Sequence, residues 1–293
     1  MNKMRIYALG FFDGVHLGHQ TLLQECIRMA AQWNAEPSAI TFDRHPQALF
    51  TPQPPVLINT NHDRDSLLRH YGIRHIHRLA VTKEVMSTSW QDFLAQLLSD
   101  GPAGFVCGDD FRFGHRGEGN ADKLRQFCEE NALPCVIVPE QSLLGRRISS
   151  THIRNLIEQG DISGANQFLG HRHVLSGEVV PGRQLGRTIG VPTANLLIPE
   201  GVVVPKLGVY ACLCRIGGRD YAAVTNIGSR PTVNGHQVRS ESWVLDFTGD
   251  LYGQTVTLQF CQFLRPEQKF DSLEALQHQI LQDEAQARAL LCL

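Results

Sequence analysis

The chain has 293 residues, with 27 Lys and Arg against 29 Asp and Glu and a formal charge of −2. That length holds two domains with separate cores, and the charge balance gives no electrostatic case for a nucleic-acid partner. No apolar run approaches the ~20 residues that span a bilayer, so no membrane partner is expected. No secretory h-region follows Met-Asn-Lys-Met-Arg. None of the eight cysteines lies in a C-x-x-C pair, which points to reduced thiols in a cytoplasmic compartment, without a disulfide framework or structural zinc.

The first half alternates two signals. Short apolar runs at 5–10, 38–42, 74–79, 104–108 and 134–139 read as strands. Helix-like segments at 20–34, 63–71, 89–98 and 120–131 lie between them. This pattern predicts a parallel sheet covered on both faces, with ligands beyond the carboxyl ends of the strands. One such end carries Gly10-Phe-Phe12-Asp13-Gly-Val-His16-Leu-Gly18-His19. A Gly-containing turn from a strand into a helix exposes backbone N–H groups at the positive end of the helix dipole, where phosphates bind. Two imidazoles there donate to a polyphosphate and stabilise charge during nucleotidyl transfer, and Gly18 leaves room for the phosphate. Two other readings of the pair stay open: a metal site with Asp13, or plain polar turn residues. A second strand end carries Gly108-Asp-Asp110-Phe111-Arg-Phe-Gly114. Two short helices follow, at 151–159 and 163–169, the first preceded by Ser149 and Ser150 as caps.

Beyond about residue 172 the pattern becomes strand-like, at 173–180, 208–215, 221–227, 240–247 and 255–263. Gly, Pro and Asn between these runs predict a compact antiparallel barrel. A helix over 272–291 closes the chain, with Phe270, Leu273, Leu276, Ile280 and Ala287 as its apolar stripe and Ser272 as cap. Cys212 and Cys214 share a strand face and read as small core residues. The domain boundary is expected near 160–172.

Gly177, Gly182, Gly186 and Gly190 give one loop four glycines in fourteen residues, able to wrap phosphates with backbone N–H groups. It matches neither G-x-x-x-x-G-K-[ST] nor a dinucleotide fingerprint. Thr193 and Asn195 follow at the start of a strand, two apart and therefore on one face. They are neutral oxygen donors suited to Mg²⁺ that also touches ATP phosphates; a loop with a capping Thr and Asn is the alternative. Glu241 shares an alternating face with Trp243, Leu245 and Phe247. A carboxylate among large apolar groups is costly unless it is paired or used, which suits a general base; a strand-end Glu reaching solvent is the alternative.

Taken together, these motifs resemble the bacterial bifunctional riboflavin kinase/FAD synthetase family. The strand–Phe-Asp-Gly–His-x-Gly-His–helix stretch resembles its nucleotidyltransferase half. Gly-Val-Pro192-Thr193-Ala-Asn195, Glu241 in Glu-x-x-x-Leu-Asp, Asn226-Ile-Gly228, Asp250-Leu-Tyr-Gly253 and Leu264-Arg265-Pro-Glu267 resemble its kinase half. The resemblance covers almost the whole chain. It implies an α/β Rossmann-like nucleotidyltransferase domain with a parallel sheet over residues 1–160. A small antiparallel β-barrel riboflavin kinase domain with a terminal helix would occupy 168–293. It also implies phosphorylation of riboflavin to FMN by the second and adenylylation of FMN to FAD, with release of pyrophosphate, by the first. ATP and Mg²⁺ would serve both.

The resemblance also implies roles for single residues. His16 and His19 would be catalytic in the first domain. Gly10, Phe12, Asp13, Gly18, Ser149, Ser150 and Arg154 would join them around ATP, with Arg154 at the leaving pyrophosphate. Asp110 and Phe111 would lie on the flavin side. In the second domain Gly182, Gly186, Arg187, Gly190 and Thr193 would bind ATP. Thr193 and Asn195 would hold the metal, Glu241 would be the base, and Arg265 and Phe270 would contact the flavin. Phe11, Arg44, His171 and Trp243 depart from the family's usual residues. None of them replaces a residue with an assigned chemical role, though Phe11 lies closest to the adenylylation site.

Overall fold

The computed structural model describes residues 3–182, 191–232 and 235–292. The chain forms two compact units. Residues 1–57 and 64–150 make the first, and 58–63 and 151–293 the second.

In the first unit five parallel strands, β1 (Arg5–Leu9), β2 (Glu36–Phe42), β3 (His75–Leu79), β4 (Ala103–Gly108) and β5 (Cys135–Val138), stand in the order β3-β2-β1-β4-β5. The helices between them include α1 (Leu17–Gln32), α2 (Asn61–His70), α3 (Trp90–Ser99) and α4 (Ala121–Glu130). Successive residues of a strand face opposite ways, so β1 feeds two cores. Ile6 and Ala8 pack with Leu22, Leu23, Cys26 and Met29 of α1. Tyr7 and Leu9 pack with Phe105, Leu94, Leu97 and Leu124. Both sheet faces are covered, as continuous apolar strands require.

Helix α1 starts at Leu17, three residues before the expected Gln20. His16 is its N-cap, with Nδ1 accepting from the His19 backbone N–H at 3.3 Å. That bond satisfies a first-turn donor otherwise left without an intrahelical partner, so Gly18 and His19 are first-turn residues of the helix.

In the second unit, α5 (Ser150–Gln159) and α6 (Ile162–Leu169) lead into β6 (His173–Glu178), β7 (Thr193–Leu197), β8 (Gly208–Ile216), β9 (Arg219–Thr232), β10 (Gly235–Val244) and β11 (Thr255–Arg265), and α7 (Leu273–Leu291) ends it. The six strands form one antiparallel sheet in the order β6-β11-β8-β9-β10-β7. Val180, just past β6, donates its N–H to the Asn195 carbonyl of β7 at 2.9 Å, so the two edges of the sheet meet. Tyr210 and Phe260 fill the interior edge to face at 5.3 Å, beside the buried Cys212 and Cys214.

The division at 150 falls before the expected 160–172. Asn166 of α6 explains why the two helices count with the barrel. Its Nδ2 donates to the Phe260 carbonyl at 2.9 Å and its Oδ1 accepts from the His173 N–H at 2.8 Å.

One expectation needs correction. Strand β10 ends at Val244, because Asp246 adopts φ +56° and turns the chain, so Leu245 and Phe247 do not continue the face of Glu241 and Trp243. On α7 the stripe is only partly core. Ala287 is buried with Val209, Ala211 and Val224, whereas Leu273, Leu276 and Ile280 line a cavity.

Gly104 of β4 marks how closely the sheet is packed. A Cβ there would lie 2.7 Å from Pro134 Cγ, 2.8 Å from Ile6 Cδ1 and 3.0 Å from the Pro134 carbonyl. Gly104→Ala is expected to destabilise the protein by about 1–3 kcal/mol, as overpacking does. Urea unfolding checks this, and a loss under about 0.5 kcal/mol would show that the Pro134 turn gives way freely.

Candidate active sites

The strand order of the first unit reverses between β1 and β4, and ligands of open parallel sheets bind in the crevice at that point. A cavity of about 200 Å³ lies there. Gly10, Phe11, His16, Gly18 and His19 line it beyond β1, Gly108 to Phe111 beyond β4, and Val138 to Gln141 beyond β5, with Arg147. The turn after β1 is wound tightly. Phe12, Gly14 and Val15 have φ of +59°, +78° and +41°. The turn delivers His16 and His19 stacked face to face, with ring centroids 3.7 Å apart and 10° between planes.

His16 Nδ1 accepts the backbone bond, so its neutral form carries the proton on Nε2. The His19 ring is held edge-on by Phe12 at 5.3 Å, and its Nδ1 has no partner among the described residues. Burial, then the neighbouring His16 and Arg64, push His19 well below the ordinary histidine value. His19 is thus a neutral hydrogen-bond donor or acceptor facing a phosphate-sized space. Among the described residues no group of three or more His, Cys, Asp or Glu side chains forms a metal cluster.

The expected ATP residues of this half separate into groups. Gly10, His16, Gly18 and His19 line the cavity, whereas Phe12 and Asp13 lie beneath it, buried. The Asp13 carbonyl accepts from Ser150 Oγ at 3.0 Å. Ser149 and Ser150 belong to the first unit and Arg154 to the second, where Arg154 Nη2 donates to Thr151 Oγ1 at 3.0 Å. Asp110 is exposed and pairs with Arg147, which also reaches Glu140 at 3.1 Å. Phe111 stacks on Phe113 at 5.6 Å and borders a second, apolar cavity of about 450 Å³ with Ile40, Phe42, Leu79, Phe93 and Phe113. Gly10 and Phe111 line both cavities.

The second unit has a comparable pair. A small cavity of about 80 Å³ is lined by Gly182, Thr193, Asn195, Phe247, Asp250 and Tyr252. An apolar one of about 350 Å³ is lined by Glu241, Trp243, Arg265, Phe270, Leu276 and Ile280, with Thr193 common to both. Glu241 of β10 is in register with Asn195 of β7 and Asn226 of β9. Asn195 is 3% exposed; its Nδ2 donates to the Thr193 carbonyl at 3.2 Å, while its Oδ1 has no partner among the described residues. A Cβ on Gly182 would lie 2.5 Å from Asn195 Nδ2, so the loop backbone covers this amide as only glycine permits. Gly186, Arg187 and Gly190 lie outside the described residues. Arg265 makes a forked pair with Asp283 at 2.8 and 2.7 Å, its guanidinium 5.8 Å from the Phe270 ring centroid.

Arg64, Arg147 and Asp283 were not singled out from the sequence. Asp283 had a signal: it falls on the apolar stripe of α7, between Ile280 and Ala287, where an acid needs a partner. Arg147 had none, because its partners lie in distant loops.

A doubly wound sheet with a phosphate-type turn at its switch point, followed by an antiparallel barrel with a glycine-covered cavity, defines a two-module nucleotide-dependent transferase. A family model described as FAD synthetase matches residues 1–152, and one described as riboflavin kinase matches 169–291. Curated relatives named bifunctional riboflavin kinase/FMN adenylyltransferase match nearly end to end. That of Listeria monocytogenes is 34% identical, over 97% of this chain and 92% of its own; that of Escherichia coli K12 is 34% identical, over 97% and 91%. A crystal structure from Streptococcus pneumoniae titled a macrolide-efflux protein is 31% identical with a TM-score of 0.88, covering 98% of this chain and 95% of its own. No helix among the described residues here is long and apolar enough to cross a membrane. The chain belongs to the bifunctional riboflavin kinase/FMN adenylyltransferase family.

The state of His19 gives a pH prediction. Its folded-state value lies below the ordinary one near 6.5, so protonation favours unfolding. The contribution of neutral His19 to stability is present above pH ~6.5 and declines as pH falls below it. Nitrogen-15 imidazole shifts of the ligand-free protein should show His19 neutral at pH ~5.5. A His19 midpoint at or above ~6.5 would contradict the burial described here.

Proposed function

We propose that the second unit phosphorylates riboflavin to FMN with ATP and that the first adenylylates the resulting FMN to FAD. One observation carries the assignment of sites. Each unit couples a smaller cavity beside glycine-containing backbone to a larger and more apolar one through shared lining residues, Gly10 and Phe111 in the first, Thr193 in the second. A flavin reacting with ATP requires that combination: an apolar wall for the ring system and a polar cradle for the phosphates that react at the end of its ribityl chain.

In the kinase, Glu241 accepts the proton of the ribityl 5′-hydroxyl while that oxygen attacks the γ-phosphorus and ADP leaves. Its place at the border of the flavin cavity, in register with Asn195, supports the role. Asn195 Oδ1, a buried oxygen with no protein donor among the described residues, and the hydroxyl of Thr193 fit a hard divalent cation. These two residues would hold Mg²⁺, which supplies positive charge against the transferring phosphoryl group. Trp243, Phe270, Leu276 and Ile280 exclude water and fix the ring, and Asp283 holds the Arg265 fork against the same wall.

In the adenylyltransferase, an oxygen of the FMN phosphate attacks the α-phosphorus of ATP directly, and pyrophosphate leaves. His16 and His19 donate to the phosphate oxygens at the N-terminus of α1. Arg147, paired with Asp110 and Glu140, borders the cavity, and Ser149 and Ser150 serve the leaving group as the family resemblance implies. The cavity bordered by Phe111 takes the flavin ring.

The two sites are separable by mutation. With riboflavin, ATP and Mg²⁺, the wild-type protein should form FMN first and FAD after it, followed by chromatography. His19→Ala should stop at FMN with riboflavin phosphorylation near normal. Glu241→Gln should cut the kinase on the order of 10²-fold, as loss of a general base does, while FMN supplied directly still becomes FAD. Equal loss of both activities in either variant would refute the two-site assignment.

The metal assignment has its own readout. Asn195→Ala should raise the Mg²⁺ concentration needed for half-maximal kinase activity and leave that of adenylylation unchanged. An unaltered Mg²⁺ titration would remove Asn195 from the metal.

A further inference from the structure

Arg64 has the largest side chain among the described residues that are fully buried, with 1% exposure. It lies on α2, remote in sequence from every motif described above. A guanidinium in that position is costly unless its donors are used. Its Nη1 donates to the Phe11 carbonyl at 3.3 Å, its Nη2 to the Phe42 carbonyl, and its Cζ stands 4.6 Å from the centroid of the Phe11 ring. Phe11 and Phe42 lie at the carboxyl ends of β1 and β2. One side chain therefore ties together two adjacent strand ends at the point where the tight turn begins.

The Phe11 carbonyl also accepts from Thr41 Oγ1 at 2.8 Å. The residues that follow, Phe12, Gly14 and Val15, all have positive φ. Such backbone persists only when its surroundings over-determine it, and the Arg64 fork fixes its first carbonyl. The positive charge is in place too. Burial lowers Arg64 to about 10, which leaves it cationic at neutral pH, with Asp13, Asp43 and Asp65 on one side of the balance and Arg78 on the other. That charge contributes to keeping His19 neutral.

We propose that Arg64 is a positioning residue for adenylyl transfer: from behind the β1 turn it fixes the Phe11 carbonyl, and with it the placement of the His16–His19 pair, and holds a positive charge beneath the phosphate cradle. It touches no reacting atom. The inference rests on the adenylylation assigned above to the first unit. The kinase of the same chain serves as an internal control, because its assigned residues belong to the second unit and Arg64 to the first.

The test compares wild-type, Arg64→Met and Arg64→Lys proteins for both activities and for the imidazole nitrogen-15 signals of His16 and His19. Arg64→Met should lower kcat for adenylylation at least about tenfold, the scale on which small misplacements act. Its kinase should stay within about twofold, and the two imidazole signals should shift. Arg64→Lys, which keeps the charge and a donor, should recover part of the loss. Full adenylylation in Arg64→Met, a parallel fall of both activities, no recovery in Arg64→Lys, or unmoved imidazole signals would each overturn the inference. A wild-type protein that fails to convert FMN would instead refute the assigned activity, and the imidazole signals would still decide the role of Arg64.

Discussion

Phe12 and Val15 sit at φ +59° and +41°, and a β-branched residue reaches that region only when its neighbours leave no alternative. Each such residue costs about 1–3 kcal/mol. The turn is pinned along its whole length. Thr41 and Arg64 hold the Phe11 carbonyl, Ser150 holds that of Asp13, and Gln20 Nε2 holds that of Val15 at 2.8 Å. Net contributions of about 0.5–1.5 kcal/mol per bond, more for a charged donor, match the strain in scale. The chain then enters α1 with His16 already in place as its cap. An imidazole pair stacked at 3.7 Å follows from that entry, and the neutral state of His19 follows from its burial and from the stacked His16.

The second unit reaches the same end through a buried side chain. Asn195 Oδ1 is an acceptor with no donor among the described residues, which leaves a desolvation cost of about 1–3 kcal/mol. A cation bound there would remove that cost, and the packing of Gly182 against the amide keeps the oxygen from turning away. Strained backbone in one unit and an unsatisfied oxygen in the other are both departures from the lowest-energy local arrangement, and both lie where phosphate chemistry is assigned. Ordinary core positions such as Leu23 and Phe105 show neither.

Much of this was legible in the sequence where the physics is local. The five candidate strands of the first half became the five parallel strands, and β1, β2 and β4 are buried along most of their length, where a strand needs no alternation to identify it. His16, Gly18, His19, Thr193, Asn195 and Glu241 were found by spacing, and each lines a cavity. Local reasoning failed where a single backbone angle decides. Nothing in Leu-Asp-Phe shows that Asp246 turns left-handed, so the face of Glu241 was extended two residues too far along the strand. Gly18 has low helix propensity and hid the true start of α1, which the cap at His16 sets. Arg64 and Arg147 stayed invisible because their partners are strand ends and loops brought together only by the sheet order.

In both units the polar and apolar cavities meet at a residue whose size matters. In the proposed reactions the ATP phosphorus under attack would lie where the two cavities meet, with water excluded on one side and charge met on the other. In the first unit Gly10 and Phe111 share that junction; a side chain at Gly10 would press on the Phe12 ring, which stands 3.1 Å from the position of a Cβ, and through it on His19. In the second unit the junction is Thr193, whose hydroxyl can face the polar side while its methyl completes the apolar wall. The two folds share no topology, yet each joins its two cavities through residues that line both, Gly10 and Phe111 in the first unit and Thr193 in the second.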